Sequence, residues 1–122
     1  MPGNHDCVLN TPNDIRDALL VTCTKDDINE AIVNECIKVQ DQFWSFYQSL
    51  TQSTPTTKIA YKFEDQLTLD SNIYFHCYNS SWMSIINERD CNKIIPTSCY
   101  LHTAKRSTDI VVSLFHHPTS WL

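Results

Sequence analysis

Glycine occurs once in this chain of 122 residues, at Gly3. Phosphate-cradling loops, dinucleotide-binding turns and nucleophile elbows all use glycine for backbone conformations that other residues adopt only at a cost. Its scarcity removes most nucleotide-dependent enzymes and α/β-hydrolases. Turns must rely on Asp, Asn and Ser, which tolerate positive φ next best. The chain also lacks any apolar run near the ~20 residues that cross a bilayer. Nine basic residues face fourteen acidic ones, for a net charge of −5. The one basic pair, Lys105-Arg106, is too small to track a phosphate backbone. Neither a membrane nor nucleic acid is therefore expected as a partner.

What is present suits one folded domain. Hydrophobic residues make up 42% of the chain, which argues against disorder, and the length allows one core but not two. Six cysteines, Cys7, Cys23, Cys36, Cys77, Cys91 and Cys99, contain no C-x-x-C pair, which weakens a zinc or redox reading. The start, "MPGNHDC", has no cationic stretch ahead of an apolar one, so no secretory signal is read. The cysteines are then expected reduced and buried, in the cytoplasm. A second reading stays open: a secreted or pathogen-derived binding domain stapled by disulfides, with Asn79-Ser80-Ser81 as a glycosylation acceptor.

Residues 1–10 read as a flexible polar tail and 11–122 as one domain. "TPNDIRDALLVTC" predicts a short helix capped by Thr11 with Pro12 at its first position and Asp14 closing a capping box. Ile15, Leu19 and Cys23 form its apolar stripe. Residues 24–50 predict a longer helix, opened by Thr24 with Asp26 and Asp27 at its positive end. Ile28, Ile32, Cys36, Val39, Phe43, Phe46 and Leu50 run down one face at steps of three and four. Trp44 and Tyr47 flank that stripe.

After the linker at 51–57 the period changes to two. Ile59, Tyr61, Phe63, Leu67 and Leu69 predict a first strand with one inward face. "LDSN" at 69–72 predicts a turn. Ile73, Phe75 and Cys77 alternate with Tyr74, His76 and Tyr78 in a second strand, which Trp82, Met83 and Ile85 would extend. Residues 94–104 predict a third strand, with Pro96 at an edge or start. Ile110–Phe115 predicts a fourth, apolar on successive residues and so expected to be interior. The expected fold class is α+β: two N-terminal helices, then a four-stranded antiparallel sheet.

No catalytic constellation stands out. His76 and Cys77 are neighbours in a strand and point to opposite faces, so they do not form a nucleophile–base pair. His116-His117 lacks a third ligand at metal spacing and reads as a solvated pair. The paired carboxylates Asp26-Asp27 and Glu64-Asp65 read as cap and turn residues. A small enzyme of hotdog or cystatin-like size has no supporting motif. Aromatics concentrate at 43–47, 61–63 and 74–82, where they serve a core or a contact surface. Ile73, Tyr74, Phe75, His76, Cys77 and Tyr78, with amphipathic groups on one face, are the candidate edge for a protein partner. A second copy is the simplest cover for the other sheet face.

Several segments are similar to one family. Ser98-Cys99, a charged turn and "IVVSLF" resemble the closing hairpin of the Tctex-type dynein light chains. "VNEC" at 33–36, "PTTKIAYKF" at 55–63 and "FHCYN" at 75–79 resemble segments of that family's second helix and first two strands. The likeness spans residues 13–115 in outline, but the family's hairpin glycines are missing here. The resemblance implies a homodimer, or a heterodimer with a related light chain, with a strand exchanged between subunits. It implies binding of extended segments of dynein intermediate chain or cargo by strand addition, in the cytoplasm on the cytoskeleton or the ciliary axoneme. No cofactor, metal or catalysis is expected.

Overall fold

A computed structural model describes residues 1–10, 13–23, 28–88, 93–103 and 106–122. The chain is α+β, with helices and a three-stranded mixed sheet. Helix α1 spans Asp14–Thr22, α2 Glu30–Cys36 and α3 Asp41–Thr51. Strand β1 spans Ala60–Thr68, β2 Ser71–Tyr78 and β3 Ile110–Phe115.

Asn13 caps α1, its side chain accepting from the Arg16 amide, and Asn29 caps α2 in the same way through Ile32. The predicted caps Thr11 and Thr24, with Pro12, Asp26 and Asp27, lie outside the described residues. The stripe of α1 is rotated from the expected one. Ile15 is exposed, Arg16 is buried, and Leu19, Leu20 and Cys23 pack on the core.

The long second helix is broken. A 3-10 turn at Ile37–Gln40 separates α2 from α3. Its cause is tertiary: the Val39 carbonyl accepts from the Val8 amide at 2.7 Å, and the buried Gln40 side chain exchanges hydrogen bonds with Asn79. A 3-10 residue turns about 20° further than an α-helical one, so four of them shift the phase by roughly 80°. Hence Trp44, expected beside the stripe, is buried, while Phe46 and Leu50 are 60% and 67% exposed.

The N-terminal segment packs against the body rather than hanging loose. Pro2 is buried, residues 4–6 form a 3-10 turn, and Asn4 bonds His116 at 2.9 Å. A Cβ on Gly3 would lie 2.8 Å from the His116 ring, so the sole glycine sits where a side chain has no room.

In the sheet, β1 pairs antiparallel with β2 around the turn at 69–70, as the alternation predicts. Only the start of β1, Ala60 and Tyr61, is buried, and Ile59 just before it. Residues 80–83 leave the strand as a 3-10 turn with Trp82 fully buried, its indole N–H donating to the Ile94 carbonyl. No strand forms in the described part of 94–104; a 3-10 turn at Thr97–Cys99 lies there instead. The chain between β2 and β3 therefore crosses back over the molecule, and β3 pairs with β2 in parallel, not antiparallel. Asp109 fixes the register, its carboxylate accepting from the Asn72 amide at 2.8 Å and the Arg106 amide at 2.7 Å. The sheet order is β1-β2-β3, so β2 is the interior strand and β3 lies at an edge, the reverse of the sequence expectation.

The main core joins the sheet end to the helices: Cys36, Ile37, Ile59, Ala60, Tyr78, Trp82 and Ile95. A second cluster, Trp44, Tyr61 and Cys77, lies under α3 on the other face.

Candidate functional site

The predicted partner-binding stretch, Ile73 to Tyr78, is paired on both sides. Ile73 faces Asp65 on β1 and Ile110 on β3, and Tyr78 faces Ala60 and Phe115. Its backbone has no free edge to offer. The face of Tyr74, His76 and Tyr78, expected to be wet, is buried. The loop after Pro96 covers it: His76 bonds the Thr103 hydroxyl at 2.7 Å, and the Tyr78 hydroxyl accepts from the Leu101 amide at 3.2 Å. Tyr78 also stacks on Phe115, ring centres 5.1 Å apart. Burial, then the charges of Lys62 and His102, hold His76 below its ordinary pKa.

The two outer edges differ in chemistry. β1 carries Lys62, Glu64, Asp65 and Gln66, charges and amides that discourage strand addition. β3 reads Ile-Val-Val-Ser-Leu-Phe, with no charge, proline or glycine. Among the described residues its only strand partner is β2. Residues paired across a sheet share a face. The register thus puts Phe63, Ile73, Phe75, Ile110, Val112 and Leu114 together on one side. α3 covers only the Tyr61–Cys77 end, by edge-on contacts of Trp44 and Tyr47 with Tyr61, each 5.9 Å between centres. Phe63, Ile110 and Leu114 remain 45%, 45% and 38% exposed. Beneath α3 the Trp44 indole N–H and the Tyr61 hydroxyl are buried without a hydrogen bond. Burial, then Cys77 and Tyr47, pushes the Tyr61 phenol above its ordinary pKa.

A buried polar centre lies elsewhere, where sequence spacing gives no hint. Glu88 Oε2 lies 3.1 Å from His117 Nε2, and His117 Nδ1 lies 2.9 Å from the Ser80 hydroxyl. Lys93 pairs with Glu88 and donates to the Met83 carbonyl at 3.3 Å. Burial would raise the Glu88 carboxyl, but hydrogen bonds from Lys93 and His117 and the Lys93 charge outweigh it and hold it low. Burial, then the charges of Lys93 and His116, lowers His117 against the pull of Glu88. His117 is therefore a neutral ring whose Nε2–H donates to Glu88 and whose Nδ1 accepts from Ser80. The order serine–histidine–glutamate has the composition of a catalytic triad. Ser80 has no exposed surface, however, and no described cavity reaches it. No acyl group approaches its hydroxyl in this conformation. His117 is thus a buried structural residue and not one of a solvated pair.

The remaining sequence candidates resolve as follows. Cys7, Cys36, Cys77 and Cys99 are free thiols, which removes a three-disulfide framework; Cys91 lies outside the described residues. Burial raises the Cys7, Cys36 and Cys77 thiols, so none is an activated thiolate. Asn79 is fully buried and bonded to Gln40 and the Lys58 carbonyl, so the sequon is closed to a glycan in the folded chain. Among the described residues no three His, Cys, Asp or Glu side chains converge as metal ligands. No described helix is long and apolar enough to cross a membrane. No family model, curated protein or solved structure matches the chain.

Proposed function

We propose that the protein is a non-catalytic binding module that takes up an extended segment of a protein partner along β3. The observation that carries this reading is the composition of that edge: six uncharged residues, mostly apolar, beside a sheet face that α3 covers only in part. An unprotected edge of this kind pairs with another chain. Main-chain hydrogen bonds supply affinity, and the gaps between Ile110, Val112 and Leu114 receive alternate side chains of the added strand.

The resemblance to Tctex-type dynein light chains supplies the candidate partner, an extended segment of dynein intermediate chain or cargo, and with it a cytoskeletal location. It also supplies a homodimer, in which a second copy covers the face of Phe63, Ile110 and Leu114. The parallel β3 departs from the antiparallel closing hairpin that the resemblance implied. The strand-addition mode therefore rests on the edge and not on the family.

Hydrogen exchange tests the mode. In the free protein the β2 amides should exchange slowly and those of β3 that point away from β2 should exchange fast. An added intermediate-chain segment should slow the second set. Unchanged exchange at Val111 to Leu114 with that segment and with a generic apolar strand peptide would overturn strand addition. Protection by the generic peptide alone would remove the dynein assignment and leave the mode standing.

A further inference from the structure

Arg16, the one cation of α1, has 2% of its side chain exposed. Its Nε donates to the Cys36 carbonyl at 3.0 Å, and Nη2 donates to the carbonyls of Trp82 and Ser84 at 3.1 and 2.7 Å. These carbonyls satisfy donors but carry no charge. Among the described residues Nη1 has no hydrogen bond, and the carboxylate nearest it is Asp17, 4.0 Å away and 62% exposed to water. Deeper in, Lys93 and Glu88 cancel each other and His117 is neutral. Among the described residues the one carboxylate within ion-pair range of Arg16 is therefore Asp17, largely in water. A buried charge whose partner lies at the limit of pairing distance and in water is costly and leaves room for a closer counter-ion.

Arg16 also lines a cavity of about 640 Å³, within the range of small-molecule sites. The rest of the lining is mainly aliphatic, including Leu20, Val39, Met83 and Ile86, with Asn10, Asn13, Asp17 and Lys93 as its polar members. A neighbouring cavity of about 710 Å³ shares Leu20, Met83 and Lys93 but does not border Arg16. We propose that the first cavity binds one amphipathic monocarboxylate of the fatty-acid type. Its head group pairs with the open Nη1 of Arg16, and its alkyl tail lies along Leu20, Val39 and Met83. A polyanion would meet the Asp17 carboxylate on the cavity wall, and a neutral apolar molecule would bring the guanidinium no closer partner. This site is separate from the β3 edge and stands or falls apart from it.

The test is calorimetric titration of the full chain with sodium decanoate below its micellar range, with decan-1-ol as the uncharged control. Decanoate should bind at one site per chain, and the alcohol about tenfold or more weakly, the loss of one charge-assisted hydrogen bond. Arg16→Met should abolish the preference for the acid. That variant loses three carbonyl contacts, so Ile86→Glu is made beside it: Ile86 is 59% exposed, and its replacement should leave the fold intact, which circular dichroism checks. Glu at this position should weaken decanoate by about tenfold, through like charge at the cavity wall. Equal affinity for acid and alcohol, no binding up to the solubility limit, several sites per chain, or indifference to Ile86→Glu would each overturn the proposal.

Discussion

Single residues in this fold are worth what their surroundings make of them, and the helical stripe shows it. Spacing alone gives Phe43, Phe46 and Leu50 equal standing beside the flanking Trp44. In the folded chain Trp44 is 5% exposed and Phe46 60%. Trp44→Ala should therefore cost about 3–5 kcal/mol, the range for a buried aromatic. Phe46→Ala should cost less than ~1 kcal/mol, as at exposed positions. Urea unfolding of the two variants checks both; equal costs would mean that Phe46 is buried by another copy. Arg16 is a different case. It ties α1 to the end of α2 and to the segment after Trp82 through three carbonyls. Removing it strands buried acceptors at about 1–3 kcal/mol each, so Arg16→Ala should lower stability by about 3 kcal/mol or more. Arg16→Lys should recover only part, because an ammonium cannot reproduce the fork of donors. Full recovery by Lys would show that charge, and not geometry, is what the site requires.

Among the elements, β3 is the one on which the proposed strand addition rests. Its exposed Ile110 and Leu114 flank the half-buried Val112 on the open face. Replacing both exposed residues with Lys places charges beside an edge, a device that natural sheets use against pairing. The double variant should keep its far-ultraviolet circular dichroism while losing self-association in sedimentation equilibrium and protection by added peptide. Association that survives both lysines would place the contact elsewhere. Much of the element structure was legible in the sequence. Alternation located β1 and β2, and the apolar run located β3. What composition could not separate is a strand buried on both sides from an edge strand awaiting a partner, because each is apolar on successive residues. Parallel pairing was equally hidden. It depends on long-range contacts such as Asp109–Asn72, and a buried Asp before a strand reads as an ordinary turn residue. The break in the long helix was hidden for the same reason: the Val39 carbonyl is claimed by Val8, far away in sequence. Of the candidate site, Ile73 to Tyr78 was read as an edge with amphipathic groups on a wet face, whereas the register makes it the middle strand and buries that face. The Glu88–His117–Lys93 centre had no local signal at all.

At the scale of the whole molecule, buried histidines tie the ends of the fold together and make its stability depend on pH. His117 follows β3, yet it bonds Ser80 just after β2 and Glu88 in the crossover. His76 holds the loop at Thr103 against the sheet. Both are held below the ordinary histidine pKa, His117 mainly by burial with Lys93 and His116 adding to it, and His76 by burial with Lys62 and His102. In the unfolded chain they protonate near the reference value of about 6.5. Between that value and their lower native ones the unfolded state binds more protons than the native state. Stability is then complete above about pH 7 and falls as the pH drops through 6.5, since the unfolded form takes up the protons. Glu88 acts in the same direction further down. Its carboxyl is held low, so its contribution is present above the unfolded value of about 4.3 and is lost as the pH falls through the native one. Urea midpoints measured from pH 8 to pH 3.5 should therefore fall in two stages, one near pH 6 and one below pH 4.5. His117→Gln keeps polar atoms beside Ser80 and Glu88 but cannot titrate. It should lower the plateau and flatten the upper stage, leaving a smaller slope due to His76. A wild-type midpoint that rises on acidification from pH 7 to pH 5.5 would mean that His117 gains its proton in the native state. The Glu88 charge would then outweigh burial, and the centre would be a three-membered ion cluster in place of a neutral ring between a serine and a carboxylate.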